Sequence, residues 1–115
     1  MGNNLEFVYQ ILNEVLPNNV FYALSIKENI QLPIIVYQEL KKRSKTYADD
    51  SYLLKESTIQ MTLITKDKNI NLEKSLENKL TEYDIEYQMI NEFYLTDSGL
   101  YRIYEIKMEE TKYEQ

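Results

Sequence analysis

Residues 58–63 alternate without a break: Ile59, Met61 and Leu63 fall on one side, Thr58, Gln60 and Thr62 on the other. Side chains of a strand repeat every two residues, so this stretch is a strand with one buried and one solvated face. Such a strand needs a sheet around it and a layer over one face of that sheet. Two segments of helical period can supply the layer. Leu5, Val8, Ile11, Leu12, Val15 and Leu16 line one face of a helix over residues 4–16, capped by Asn3 or Asn4 and stopped by Pro17. Leu72, Leu76, Leu80 and Tyr83 form the stripe of a second helix over 72–83, with Asn69 or Asn71 as its cap. That stripe leaves Glu73, Lys74, Glu77 and Lys79 outside, and Glu73 and Glu77 repel one another at i,i+4.

The rest of the sheet is read from β-branched and aromatic runs. Residues 20–24 form a short strand. Leu32-Pro33 introduces another over 34–40, because proline is tolerated at a strand's first residue. Strands over 85–95 and 100–108 flank Thr96-Asp97-Ser98-Gly99, and glycine suits the left-handed position of such a turn. In the second arm Tyr101, Ile103 and Glu105 alternate against Leu100, Arg102, Tyr104 and Ile106. Residues 25–31 and 41–56 are polar and read as loops, and 109–115 as a charged, frayed tail. The order α-β-β-β-α-β-β defines an α+β fold: a mostly antiparallel sheet of about five strands with two helices packed on one face. At 115 residues, with two glycines and two prolines, the chain is read as a single domain, 1–115.

Cysteine and histidine are both missing. Their absence removes disulfides, thiolate nucleophiles, Cys-based zinc sites and the usual general base. Glycines occur only at Gly2 and Gly99, too few for a phosphate-binding loop. Carboxylate chemistry survives these exclusions, with Asp49-Asp50 and Glu109-Glu110 as the paired acids. Neither pair has a ligand pattern around it, and both read as solvated. The chain shows no signal peptide, no myristoylation motif and no membrane span, so a soluble intracellular protein is expected, without cofactor or metal.

Two surface features stand out. Lys41, Lys42, Arg43 and Lys45 form the one basic cluster of a chain whose net charge is −6, with Tyr47 and Tyr52 beside them. Such a cluster is a solvated loop, a contact for single-stranded nucleic acid, or a dock for the acidic face of an identical neighbour. Eleven tyrosines are present, and Tyr94, Tyr101 and Tyr104 surround one hairpin, where an outward-facing set would be adhesive.

In order and in segment, the chain resembles the tail-completion, or tail-terminator, proteins of long-tailed bacteriophages and prophages. The resemblance runs over roughly residues 5–108 and is carried by an N-terminal helix, Val20-Phe21-Tyr22, Leu32-Pro33-Ile34-Ile35-Val36-Tyr37, a polar hairpin that would bear Lys41 to Tyr52, the strand Ile59-Gln60-Met61-Thr62-Leu63, the helix Leu72–Tyr83 and a final strand pair. Residues 25–31 are charged where relatives often carry small residues. The resemblance implies a ring, usually hexameric, that caps the tail tube and meets the head connector, in the virion after assembly in the host cytoplasm. Such a ring has no enzymatic activity, cofactor or membrane partner, and meets nucleic acid only as DNA passing through it. The residues expected at subunit or tube contacts are Lys41, Lys42, Arg43, Lys45, Tyr47, Tyr52, Tyr94 and Tyr101. Another neck component such as a head-closure protein, or a small nucleic-acid-binding regulatory module using the basic residues, is the alternative.

Overall fold

A computed structural model of the chain describes residues 4–23, 31–46 and 52–113, with backbone alone for 41–46, 52–55 and 110–113. Seven elements follow in order: α1 (Asn4–Val15), β1 (Val20–Tyr22), β2 (Ile34–Thr46), β3 (Tyr52–Thr65), α2 (Ile70–Glu82), β4 (Tyr87–Leu95) and β5 (Gly99–Tyr113). The strands make one mixed sheet in the order β1-β2-β3-β5-β4, antiparallel throughout except for the β1–β2 pair.

Local chemistry sets the element ends. Pro17 closes α1, and Asn18 takes a left-handed φ of 69° while its N–H donates to Asn13 Oδ1 at 3.0 Å. Of the two candidate caps for α2, Asn69 is the one used: its Oδ1 accepts from the N–H of Leu72 at 3.0 Å. At the other end Asp84 is left-handed, and Ile85 N–H returns to Leu80 O at 2.9 Å.

The alternation at residues 58–63 is realised as expected. Ile59, Met61 and Leu63 are fully buried, in register with Tyr37, Ile35, Tyr104 and Ile106 on the flanking strands. Val8, Ile11 and Leu12 of α1 and Leu76 and Leu80 of α2 cover that face and complete the core. Val36, Thr62 and Ile103 occupy one row of the opposite face.

Gly99 opens β5 at φ 120°. A Cβ there would stand 2.5 Å from Thr65 O and 3.1 Å from Leu32 Cδ1. Gly99→Ala should therefore cost about 1–3 kcal/mol of stability, read as a lower midpoint in urea with an unchanged slope.

Two expectations are corrected. Residues 41–56 are not one loop but carry the antiparallel arms that the resemblance implies: β2 runs on to Thr46 and β3 starts at Tyr52, register-paired from Lys41↔Thr58 to Thr46↔Leu53. Residues 109–115 are not a frayed tail as far as Tyr113, which pairs with Tyr52. Polar sequence hid both, because a ladder is built from backbone groups and needs no apolar rhythm in the side chains. Bulges added to the disguise. Register shifts at Leu40 in β2 and at Ile90 in β4, and each shift reverses which residues share a face.

The sheet consequently outruns its helices. Helices of 12 and 13 residues are about 18–20 Å long, whereas the 15-residue β5 spans about 50 Å. The molecule measures 54 × 27 × 23 Å. Beyond Glu39, Ile59 and Ile106 the sheet continues as a three-stranded extension of β2, β3 and β5.

Candidate assembly interface

The residues singled out in the sequence separate into two groups at opposite ends of the sheet. Lys41, Lys42, Arg43 and Lys45 lie on β2 within the extension, in backbone register with Thr58, Ser57, Glu56 and Leu54. Tyr52 opens β3 there, opposite Tyr113. Tyr47, Asp49 and Asp50 lie outside the described residues. Tyr94 and Tyr101 sit at the far end, beside the hairpin turn. Tyr101 and Lys112 stand eleven positions apart on β5, about 35 Å. The seven that are described therefore fall in two places and not in one patch.

The two hairpin tyrosines also differ from each other. Tyr94, on the edge strand β4, is 61% exposed, while Tyr101 is half-buried and stacks on Phe93 with centroids 5.4 Å apart and planes 5° from parallel. Tyr104, named with them in the sequence, is a fully buried core residue. Met89, Ile90 and Leu95 join Tyr94 as exposed apolar side chains of the same edge strand.

Pairing defines two further open edges. Among the described residues, β1 pairs with β2 at Ile35, Val36 and Tyr37, and β4 begins at Tyr87, opposite Ile106. Among the described residues, β2 from Lys41 onward and β5 from Lys107 onward each have a strand on one side only. At the shoulder where β4 starts and the β5 edge opens lies a groove of about 690 Å³. Asp84, Glu86 and Glu105 give it an acidic lining, offset in part by Lys107.

A charged network that the sequence reading missed holds α2 against β4 and β5. Arg102 Nε donates to Tyr104 Oη at 2.6 Å, Nη1 to Glu92 at 2.9 Å and Nη2 to Glu77 at 3.1 Å. Tyr104 Oη donates to the same Glu77 oxygen at 2.6 Å. Lys68 bridges Glu73 and Glu92, at 2.9 Å each. Glu73 and Glu77, expected outside the helix stripe, thus face Arg102, and Glu73 is buried. Their mutual repulsion is offset by the two cations. The sequence did carry a signal: a like-charge pair on one helix, and an arginine on the inward side of an alternating strand.

The network shifts its members' protonation in consistent directions. The hydrogen bond from Lys68 is the main cause that holds Glu92 below the ordinary carboxylate value, aided by Arg102. Burial acts against the Arg102 charge, but hydrogen bonds to Tyr104, Glu92 and Glu77 outweigh it and raise its pKa. Burial, followed by the bond to Glu77, raises Tyr104, and burial raises Tyr87 and Tyr37. A tyrosine raised above its unfolded value of about 10 stabilises the fold below that pH, and the contribution is lost as pH rises through the folded value. Absorbance at 295 nm should therefore show a group of tyrosines that ionise only as the chain unfolds. Tyr104→Phe should remove one tyrosine from that late group; a full set of late tyrosines in the variant would refute the assignment.

Among the described residues, no set of three or more acidic side chains is arranged to hold a metal ion. No helix among them is long and apolar enough to cross a membrane. No protein-family model matches the chain, and no curated protein matches it in sequence.

Proposed function

We propose that the chain is a structural subunit of a phage or prophage tail, working as a ring that terminates the tail tube and joins it to the head connector. The observation that carries this reading is the sheet that outruns its helices. Among the described residues this extension has three strands, with β2 from Lys41 and β5 from Lys107 each paired on one side, and an edge of that kind is a good starting point for assembly. The element order α-β-β-β-α-β-β, which prompted the resemblance to tail terminators, supports the same reading. Its two helices weigh against the small-barrel head-closure alternative.

Light scattering should give a mass several times the 13.8 kDa of one chain. Replacing Lys41, Lys42, Arg43 and Lys45 together by glutamate should lower that mass while the circular dichroism stays unchanged. An unchanged mass distribution at matched concentration and salt would remove the basic strand from the contact. Added to a polymerising phage tail-tube protein, the chain should arrest tubes at a defined length in electron micrographs. Tubes that elongate unchecked would overturn the terminator reading.

A further inference from the structure

We infer that two copies pair through the edge strand β4, residues 91–95 of each forming an antiparallel ladder about a two-fold axis at Phe93. The contact goes beyond the ring reading and does not rest on it, because a two-fold interface uses one surface twice and closes on itself at two copies.

Side chains are described along the whole of β4, and among the described residues its outer side has no strand. Ala23 N–H donates to Tyr37 O and Pro33 O accepts from Asn19, so both ends of the undescribed residues 24–30 join the β1–β2 side, four ladder spacings or about 19 Å from β4. The seven residues between them span about 25 Å at full extension, too little to cross the sheet, run along β4 and return.

β4 lacks most devices that keep an edge to itself. It holds no lysine or proline, its bulge at Ile90 lies outside 91–95, and Met89, Ile90, Tyr94 and Leu95 are each about half exposed. Its one charge, Glu92, is already held by Lys68 and Arg102. A second copy of this edge therefore meets it without free charges in the way.

The backbone sets the register. Glu92 N–H donates to the side chain of Asn91, at 2.9 Å to Oδ1, so the β5 ladder does not use it and it points to the edge. Direction alternates along an antiparallel strand, so Tyr94 also turns its groups outward, while Asn91, Phe93 and Leu95 turn theirs to β5. Setting Glu92 opposite Glu92 would oppose like charges. Setting Tyr94 opposite Tyr94 would run Glu92 against Thr96, past the end of the strand. The register centred on Phe93 avoids both. Glu92 then exchanges backbone bonds with Tyr94 of the second copy, and Asn91 faces Leu95. Phe93 already stacks on Tyr101, so its meeting with the second Phe93 makes a row of four rings on one face. Five residues per copy bury on the order of 400 Å² a side, about half of a standard interface, so the dimer is weak and concentration-dependent.

The chain has no cysteine, so single substitutions report on the contact. Partners at the non-hydrogen-bonded positions stand with Cα atoms about 4.5 Å apart, within disulfide reach. Oxidised at concentrations up to about 1 mM, Phe93→Cys should give a covalent dimer. Asn91→Cys and Leu95→Cys should each stay monomeric alone, since each would stand about 13 Å from its own counterpart, and should give a heterodimer when mixed. Asn91 and Leu95 are exposed, so the mixture decides even where Phe93→Cys weakens the fold by losing the stack with Tyr101. Dimers from Leu95→Cys alone as abundant as those from the mixture would overturn the pairing. So would the absence of any cross-link from variants whose circular dichroism matches the wild type, which would leave the edge to water or to a strand of another protein. Rings by light scattering without these cross-links would sink this contact and leave the ring reading standing; cross-linked dimers without larger species would do the reverse.

Discussion

Replacing Arg102 by leucine should lower the free energy of unfolding by about 3–5 kcal/mol, the range found when one partner of a buried ion pair is removed. Arg102 is 17% exposed in its side chain, and its guanidinium serves Glu92, Glu77 and the Tyr104 hydroxyl at once, with Glu73 at 3.6 Å. It also lies 5.3 Å from the Tyr104 ring centroid. After the change Glu73, whose side chain is 8% exposed, keeps only Lys68, and Glu77 keeps the tyrosine hydroxyl. These carboxylates then remain poorly solvated without their main counter-charge. Urea denaturation reads the effect as a lower midpoint. Adding Glu73→Gln and Glu77→Gln to Arg102→Leu should recover part of the loss, since the penalty comes from the stranded charges more than from the missing bonds. A loss below about 1 kcal/mol would show the network to be solvated and of little weight.

The same network shows where sequence reading stops. Periodicity placed both helices and the central strand, because burying one face leaves a regular trace: Ile59, Met61 and Leu63 cannot be anything but inward. It also placed Tyr101 and Ile103 opposite the inward row of Tyr104 and Ile106. It failed where backbone pairing, and not burial, decides the structure. The extension of β2 and β3 through Lys41–Thr46 and Tyr52–Ser57 leaves no apolar rhythm, so it was read as a loop. The bulges at Leu40 and Ile90 are invisible to any pattern, because one inserted residue flips the faces that follow. Glu73 was placed outside for want of its partner, since Lys68 and Arg102 lie 5 and 29 positions away in the chain. The candidate residues fared similarly. Tyr94 is an exposed edge residue, at the end of the sheet opposite Lys41–Lys45, so the two sets could serve only separate contacts.

Met61→Ala should cost about 2–5 kcal/mol, whereas Thr62→Ala, one residue along the same strand, should change stability by no more than about 0.5 kcal/mol. Met61 is fully buried on the central strand β3, register-paired with Tyr37 and Tyr104 and covered by the helices. Truncation removes its contacts and leaves a cavity that rigid neighbours on both sides cannot collapse to fill. Thr62 is half-buried on the face opposite the described helices, between Val36 and Ile103, with Thr58 and Ile64 of the same strand buried on either side of it. Comparable losses at the two positions would mean that both faces of the isolated chain are packed, against the one-sided layering of the fold. The pair also separates folding from assembly. Thr62→Arg adds bulk and charge to the open face without touching the core, so the monomer's unfolding midpoint should hold. If light scattering then shows a reduced mass, that face is a surface buried between copies; an unchanged mass would leave it out of any such contact.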